Sequence, residues 1–283
     1  VSLVYAKPCS IHIDPIEKKP LYHFLPGSDT FSIGTVGCNL TCKHCQNWQI
    51  SQAQPTDEEE FTPEQVTEEA KNCQSISYTY TEPTIFYEYV LATAKLTKLK
   101  NIIVTNGYIN PEPLKELCQH IDAANVDLKA FSEEFYQKIC GASLQPVLES
   151  LKIIQAAGVW LEITNLIIPG YNDDMLVFEK MCFWIRENLG QDVPLHISRF
   201  SPCFQLLDTK PTPEKTLINA YQIAKKYLNY VYLGNLRVEK EDNTYCPSCN
   251  ELLIERKGFR IIENKIVNGV CSHCQQEIKG VWK

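Results

Sequence analysis

The stretch TFSIGTVGCNLTCKHCQNW, residues 30–48, joins a β-rich run to a loop carrying thiols at C-x3-C-x2-C: Cys38, Cys42 and Cys45. Three thiolates satisfy three irons of a 4Fe–4S cube and leave the fourth without a protein ligand, whereas electron carriers normally use four cysteines. An open iron is what a substrate-binding cluster requires. Gly37 lets the backbone approach such a cluster closely, and Trp48 is placed to shield it from water. A three-Cys zinc site that takes His44 or a more distant group is the competing reading. The loop's position directly after a strand weighs against it.

Outward from this loop, short β-rich runs alternate with helical patterns between residues 31 and 235, as repeated βα units on a parallel sheet do. The further strand candidates are SISYTYT (75–81), NIIVT (101–105), AANVDL (123–128), VWLEITNLII (159–168), PLHISRF (194–200) and YVYL (230–233). Thr62-Pro63-Glu64-Gln65 combines capping-box spacing with proline at the first helical position. Ser132 and Pro213-Glu214 also open helical stretches. Six or seven such units fit a partial or complete (β/α) barrel, with a doubly wound open sheet as the competitor. The placing of polar residues favours the barrel. The Cys loop follows the first strand and Glu82 ends the second. Asn106 ends the third, Asp127 and Lys129 the fourth, Asn165 the fifth, and His196 and Arg199 the sixth. In barrels, catalytic groups gather where strands end.

The expected organisation is a loop-rich lead-in (1–30), the barrel (31–236) and a small C-terminal module (237–283), the boundary falling around 237–244. In that module Cys246-x2-Cys249 and Cys271-x2-Cys274 flank the β-rich stretch LLIERKGFRIIENKIV, the pattern of a zinc ribbon with four thiolates on one Zn²⁺. An auxiliary Fe–S cluster is the alternative.

Thirteen cysteines, with no secretory pattern in the opening VSLVYAKPCS, point to metal or redox chemistry in a reducing compartment, so a cytoplasmic protein is expected. The net charge of −7 and the lack of a basic run with aromatics argue against a nucleic-acid partner. No apolar run reaches the ~20 residues of a membrane span.

C-x3-C-x2-C after the first strand is the defining motif of the radical S-adenosylmethionine (SAM) superfamily, which this chain resembles. The wider sequence is similar to the AmmeMemoRadiSam system radical SAM enzymes, themselves similar to glycyl-radical-enzyme and pyruvate formate-lyase activating enzymes. The segments that carry it are HIDPIEKKPLYHFLPGS (12–28), residues 35–52, SYTYTEPTIFYEY (77–89), TNGYI (105–109), VDLKAF (126–131), NLIIPGYNDD (165–174) and NTYCPSCNELLIERKGF (243–259). The resemblance implies an activase-like oxidoreductase. In it SAM chelates the open iron, and its reductive cleavage gives a 5′-deoxyadenosyl radical that abstracts hydrogen from a protein or peptide. A small-molecule substrate is the alternative.

By the same resemblance Glu82 binds the SAM ammonium, which a carboxylate suits through a charge-assisted hydrogen bond. Asn106, Asp127, Lys129 and His196 match positions lining the ribose, carboxylate and adenine. The glycine pair that usually precedes the acid is absent from TYTEP. A flavodoxin- or ferredoxin-type electron donor is implied, together with Memo-like and AMMECR-like partners; relatives commonly carry an N-terminal Cys-rich segment that this sequence does not contain.

Overall fold

The computed structural model describes residues 2–55, 59–236 and 240–283. Its main sheet has eight strands in chain order. They are β1 (Pro8–Pro15), β2 (Asp29–Thr35), β3 (Ser75–Tyr78), β4 (Lys100–Thr105), β5 (Ala123–Asp127), β6 (Trp160–Ile167), β7 (Leu195–Arg199) and β8 (Val231–Gly234). β1 is antiparallel to β2, and all later neighbours are parallel. β1 and β8 are the two edges, so the sheet is a partial (β/α) barrel rather than a closed one.

Local chemistry explains the helices between the strands. The Thr62 side chain accepts from Gln65 N while the Gln65 side chain accepts from Thr62 N, a complete capping box before helix Pro63–Glu69. In helix Gln145–Ala156, Val147, Leu148, Leu151 and Ile154 recur at helical spacing and are buried. Each buried aliphatic of this kind contributes about 2 kcal/mol. These faces close over strands such as β3 and β5, which are almost wholly buried, as parallel strands are.

The lead-in departs from expectation, because residues 8–15 form the edge strand β1 rather than a loop. Pro8 and Pro15 bracket that strand, and an edge position tolerates them because no inner ladder bond is lost. The chain then turns under the barrel. Ile16, Leu21 and Phe24 pack on Ile102 and Ala123 at the N-terminal ends of β4 and β5.

The expected boundary around 237–244 falls partly on residues 237–239, which lie outside the described residues. Beyond it come β9 (Thr244–Tyr245), β10 (Leu252–Lys257), β11 (Arg260–Asn264), β12 (Ile266–Val267) and β13 (Val270–Cys271). This module shares its core with the barrel: Cys246, Leu253, Ile254, Cys271 and Ile278 pack with Tyr22, Tyr230 and Tyr232. Arg256 seals the join. Its guanidinium donates to Tyr22 O at 2.9 Å and Thr244 Oγ1 at 2.8 Å, and lies 4.2 Å from the Tyr22 ring centroid. Among the described residues no helix is long and apolar enough to cross a membrane.

Candidate active site

The three-cysteine loop leaves the end of β2 and is pinned from three sides. On the β3 side Asn47 Nδ2 donates to Tyr80 O at 2.6 Å. On the β5 side Thr41 N–H reaches Cys140 O at 3.0 Å and Lys43 N–H reaches Ile139 O at 2.9 Å. On the β7 side Gln205 N–H donates to Lys43 O at 3.0 Å, and Cys203 Sγ to Cys45 O at 3.2 Å. Trp48 stacks on Phe204 at 5.2 Å. The loop therefore borders a cavity of about 530 Å³ at the C-terminal ends of the strands. That is within the ~300–1,000 Å³ of small-molecule sites.

Four of the five residues expected to bind SAM line this cavity together with all three cysteines: Glu82, Asn106, Asp127 and Lys129. Strand β3 stops at Tyr78, short of the expected 75–81, because the chain turns at Tyr80, whose φ is +69°. A bulky residue is strained there. Tyr80 is held by its hydroxyl, which donates to Asp14 Oδ2 at 2.5 Å, and by Lys19 Nζ, 4.4 Å from its ring. Where a glycine pair is absent from the sequence, the backbone still takes a glycine-like turn.

That turn delivers Glu82 to the floor of the loop. Its Oε1 accepts from Thr105 Oγ1 at 2.6 Å and Thr84 N at 3.2 Å, and its Oε2 from Asn106 N at 2.7 Å. Burial nevertheless pushes its carboxyl up. Three bonds occupy three of roughly four acceptor positions. Asn106 Nδ2 reaches Asn39 Oδ1 at 2.8 Å and Cys38 Sγ at 3.7 Å, so it braces the cysteine loop directly. Lys129 Nζ pairs with Asp127 Oδ2 at 2.8 Å. Burial works against the Lys129 ammonium, but Asp127 together with the Cys42 and Cys140 sulfurs outweighs it and holds the pKa well above the ordinary lysine value.

His196 is the one of the five that does not line this cavity. It points to the barrel interior like Ser198, but two residues earlier on β7 and thus one layer below the cavity. Its Nε2 lies 2.6 Å from Glu162 Oε2, and its ring stacks on Tyr232 at 5.2 Å. This buried pair belongs to the floor shared with the C-terminal module. Asn165, by contrast, faces away from the barrel interior, donating to Leu128 O at 2.7 Å, and Arg199 Nε donates to Thr212 O at 2.8 Å.

Lys18, Lys19, Tyr80, Ser198 and Asn235 also line the cavity, and sequence patterning does not single them out. Lys18 and Lys19 sit on the turn after β1, and each pairs with Asp14, at 2.7 and 2.6 Å. Burial pushes the Asp14 carboxyl up, but bonds from Lys18, Lys19 and Tyr80 prevail and hold it well below the usual range. The only signal is the Lys-Lys pair in a polar run, and pattern reading assigns such a run to solvent.

The donors fit an iron–sulfur cluster. Burial pushes the Cys38 thiol up to about 12 and raises Cys45 as well. Such thiols ionise only against a strong positive charge, which bound iron supplies. Cys42 is the exception, held low chiefly by a hydrogen bond from Cys140. His44 is buried and held near 3 by that burial, and its Nδ1 has no partner among the described residues. Among the described residues, neither the three thiols by themselves nor the three with His44 have all ligand atoms within 4.8 Å of one another, the span a single ion needs.

The C-terminal cysteines do form such a group. The sulfurs of Cys246, Cys249, Cys271 and Cys274 all lie within 4.8 Å of one another, with Cys246–Cys274 at 3.6 Å and Cys249–Cys271 at 3.7 Å. Tetrahedral bonds of ~2.3 Å place sulfurs about 3.8 Å apart. None of the thirteen cysteines forms a disulfide.

Comparison with known proteins agrees with this geometry. The model of the Radical SAM superfamily matches residues 32–179. An uncharacterized protein of Methanocaldococcus jannaschii is 46% identical over 285 residues, covering 97% of this chain and 84% of that protein. The pyruvate formate-lyase 1-activating enzyme of Escherichia coli K12 is 27% identical over 149 residues, which are 49% of this chain and 61% of that enzyme. The crystal structure of a radical SAM methyltransferase from Sphaerobacter thermophilus superposes with a TM-score of 0.59 at 13% identity, covering 74% of this chain and 67% of that one. That likeness is one of fold.

Proposed function

The chain belongs to the radical SAM superfamily, and from that premise we propose that it cleaves SAM reductively and abstracts hydrogen from a protein or peptide substrate. Cys38, Cys42 and Cys45 would hold a 4Fe–4S cluster, which would supply the electron for reductive cleavage of SAM. The observation that carries this reading is the meeting of those cysteines with Glu82, Asn106, Asp127 and Lys129 on one cavity.

The chain's own residues divide the work of binding and orientation. Glu82 has one acceptor position left for an ammonium group, and its other bonds fix the direction of that position. Lys129 gives one of its three N–H donors to Asp127 and turns the remaining positive charge toward a carboxylate. Asp127 offers acceptor oxygens to ribose hydroxyls. Asn106 ties Cys38 to the end of β4, so the loop and the SAM-facing groups keep a common frame.

Two features support a protein or peptide substrate. The Escherichia coli relative is by name an activating enzyme for another enzyme. Lys18, Lys19 and Asn235, from the turn after β1 and the end of β8, also line the cavity and offer polar groups to a peptide backbone. A flavodoxin- or ferredoxin-type protein would deliver electrons, and the family resemblance alone argues for Memo-like and AMMECR-like partners. At the other end of the molecule we assign zinc to the four C-terminal cysteines, since sulfurs 3.6–3.7 Å apart suit one ion better than an auxiliary cluster. Closed four-thiolate coordination makes that ion structural. Free thiols throughout suit the cytoplasm.

The test is anaerobic reconstitution followed by reduction with SAM. The native chain should release 5′-deoxyadenosine and methionine, and replacement of Cys38, Cys42 and Cys45 by Ala should abolish both. Cleavage that survives the triple replacement removes the proposal. Deuterium passing into 5′-deoxyadenosine from labelled candidate proteins, rather than from labelled small molecules, decides the substrate class.

A further inference from the structure

The cysteine loop closes on itself through the one-turn helix Trp48–Ser51 and the residue after it. Gly37 N–H donates to Ile50 O at 3.0 Å and Ser51 N–H to Asn47 O at 2.9 Å, while the Asn47 side chain is tied to Tyr80 O. This closure puts the Ser51 hydroxyl 3.2 Å from Cys45 Sγ, on a side chain that is only 5% exposed. Gln52 fixes the direction of that contact. Its amide nitrogen lies 3.3 Å from both Leu40 O and Ser51 Oγ. A backbone carbonyl can only accept, so the amide turns its NH₂ this way and donates to both oxygens. The Ser51 oxygen is then engaged as an acceptor while its single proton stays free, and the Cys45 sulfur is the acceptor it meets. None of the SAM-binding roles set out above uses this hydroxyl.

We propose that Ser51 is a positioning residue whose hydroxyl, oriented by Gln52, donates to the Cys45 sulfur and raises the reduction potential of a cluster held by the three-cysteine loop. The inference rests on the assignment of a cluster to that loop. An iron-bound Cys45 is a thiolate and can only accept, which leaves Ser51 as the donor. Hydrogen bonds to ligand sulfurs are among the terms that tune such potentials. Reduction adds one electron, and part of its charge falls on the sulfurs, so a donor stabilises the reduced form more than the oxidised one. Removing the hydroxyl makes the cluster harder to reduce. Ser51 borders the cavity, so a test must fill the hydroxyl's place with a group that keeps water out and cannot donate.

The experiment is an EPR-monitored redox titration of the reconstituted protein without SAM, comparing native, Ser51→Thr and Ser51→Val. The two variants add the same bulk and differ only in a hydroxyl against a methyl, so packing strain is common to both. Both should keep the native iron and sulfide content. The Thr midpoint should stay near the native value and the Val midpoint should be more negative. Resonance Raman in H₂O and D₂O gives a second reading: deuteration should shift an Fe–S stretch more in the native and Thr proteins than in Val. Equal midpoints for Thr and Val overturn the inference while leaving the cluster assignment intact. Should neither variant take up iron, Ser51→Ala decides in their place, and a midpoint at the native value overturns the inference. Loss of iron from all three also overturns it, by making Ser51 part of the loop's framework. Failure of the native chain to bind any cluster brings down the cluster assignment and this inference with it.

Discussion

Glu162→Gln should destabilise the protein by about 2–3 kcal/mol while leaving cluster loading and SAM affinity unchanged. Glu162 is fully buried under the cavity and takes two donors on each oxygen. Oε1 accepts from His23 N at 2.8 Å and Trp160 Nε1 at 3.0 Å. Oε2 accepts from Tyr22 N at 3.0 Å and faces His196 Nε2 at 2.6 Å. Burial alone would raise this carboxyl, but the His196 bond leads a set of contacts that hold it below its ordinary value. Glutamine has one acceptor oxygen, so whichever way the amide turns, two donors meet an NH₂ group. The cheaper orientation turns the NH₂ toward Tyr22 and His196, because the imidazole can change tautomer and accept. The Tyr22 backbone N–H then remains orphaned. An unsatisfied buried donor costs about 1–3 kcal/mol, and the lost charge-assisted bond adds to it. For a chain of this size each kcal/mol moves Tm by about 2 °C, so the melting temperature should fall by about 4–6 °C. Denaturant titration of native and variant proteins, with unchanged m, measures the difference. A loss below about 1 kcal/mol would refute the floor's hydrogen-bond accounting. A normal stability with weakened SAM binding would return the Glu162–His196 pair to the active site.

Burial holds His23 neutral, with its pKa pushed down to about 4 beside Glu162, Arg256 and His196. The unfolded chain binds this proton first, so the contribution is complete above about pH 6.5 and declines as pH falls toward 4, by about 3 kcal/mol in all. Stability measured against pH in native and His23→Gln proteins should differ in slope within that window, and parallel curves would contradict it. Lys129→Ala should weaken SAM binding about tenfold or more with iron content unchanged, and an unaltered affinity would make the Lys129–Asp127 pair purely structural. Cys271→Ser should release the C-terminal metal and render residues 244–283 protease-sensitive while the iron–sulfur absorbance persists. Simultaneous loss of that absorbance would show that the floor supports the mouth.

The residues that carry chemistry through short-range spacing were legible in the sequence. Cys38, Cys42 and Cys45 announce an open-iron cluster because the ligands lie within eight residues, and two CxxC pairs announce a single-ion site for the same reason. The parallel strands were legible as well, since burial on both faces leaves continuous β-rich runs. Glu82, Asn106, Asp127 and Lys129 could be placed because each lies at or just beyond the end of a strand. His196 shows the limit of that rule. Alternation told which face of β7 it occupies, but its layer along the barrel axis depends on register with β6 and β8, which distant segments set. The roles of β1, the Lys18–Lys19 turn and Arg256 were hidden because each acts through contacts made only when remote parts of the chain close under the barrel.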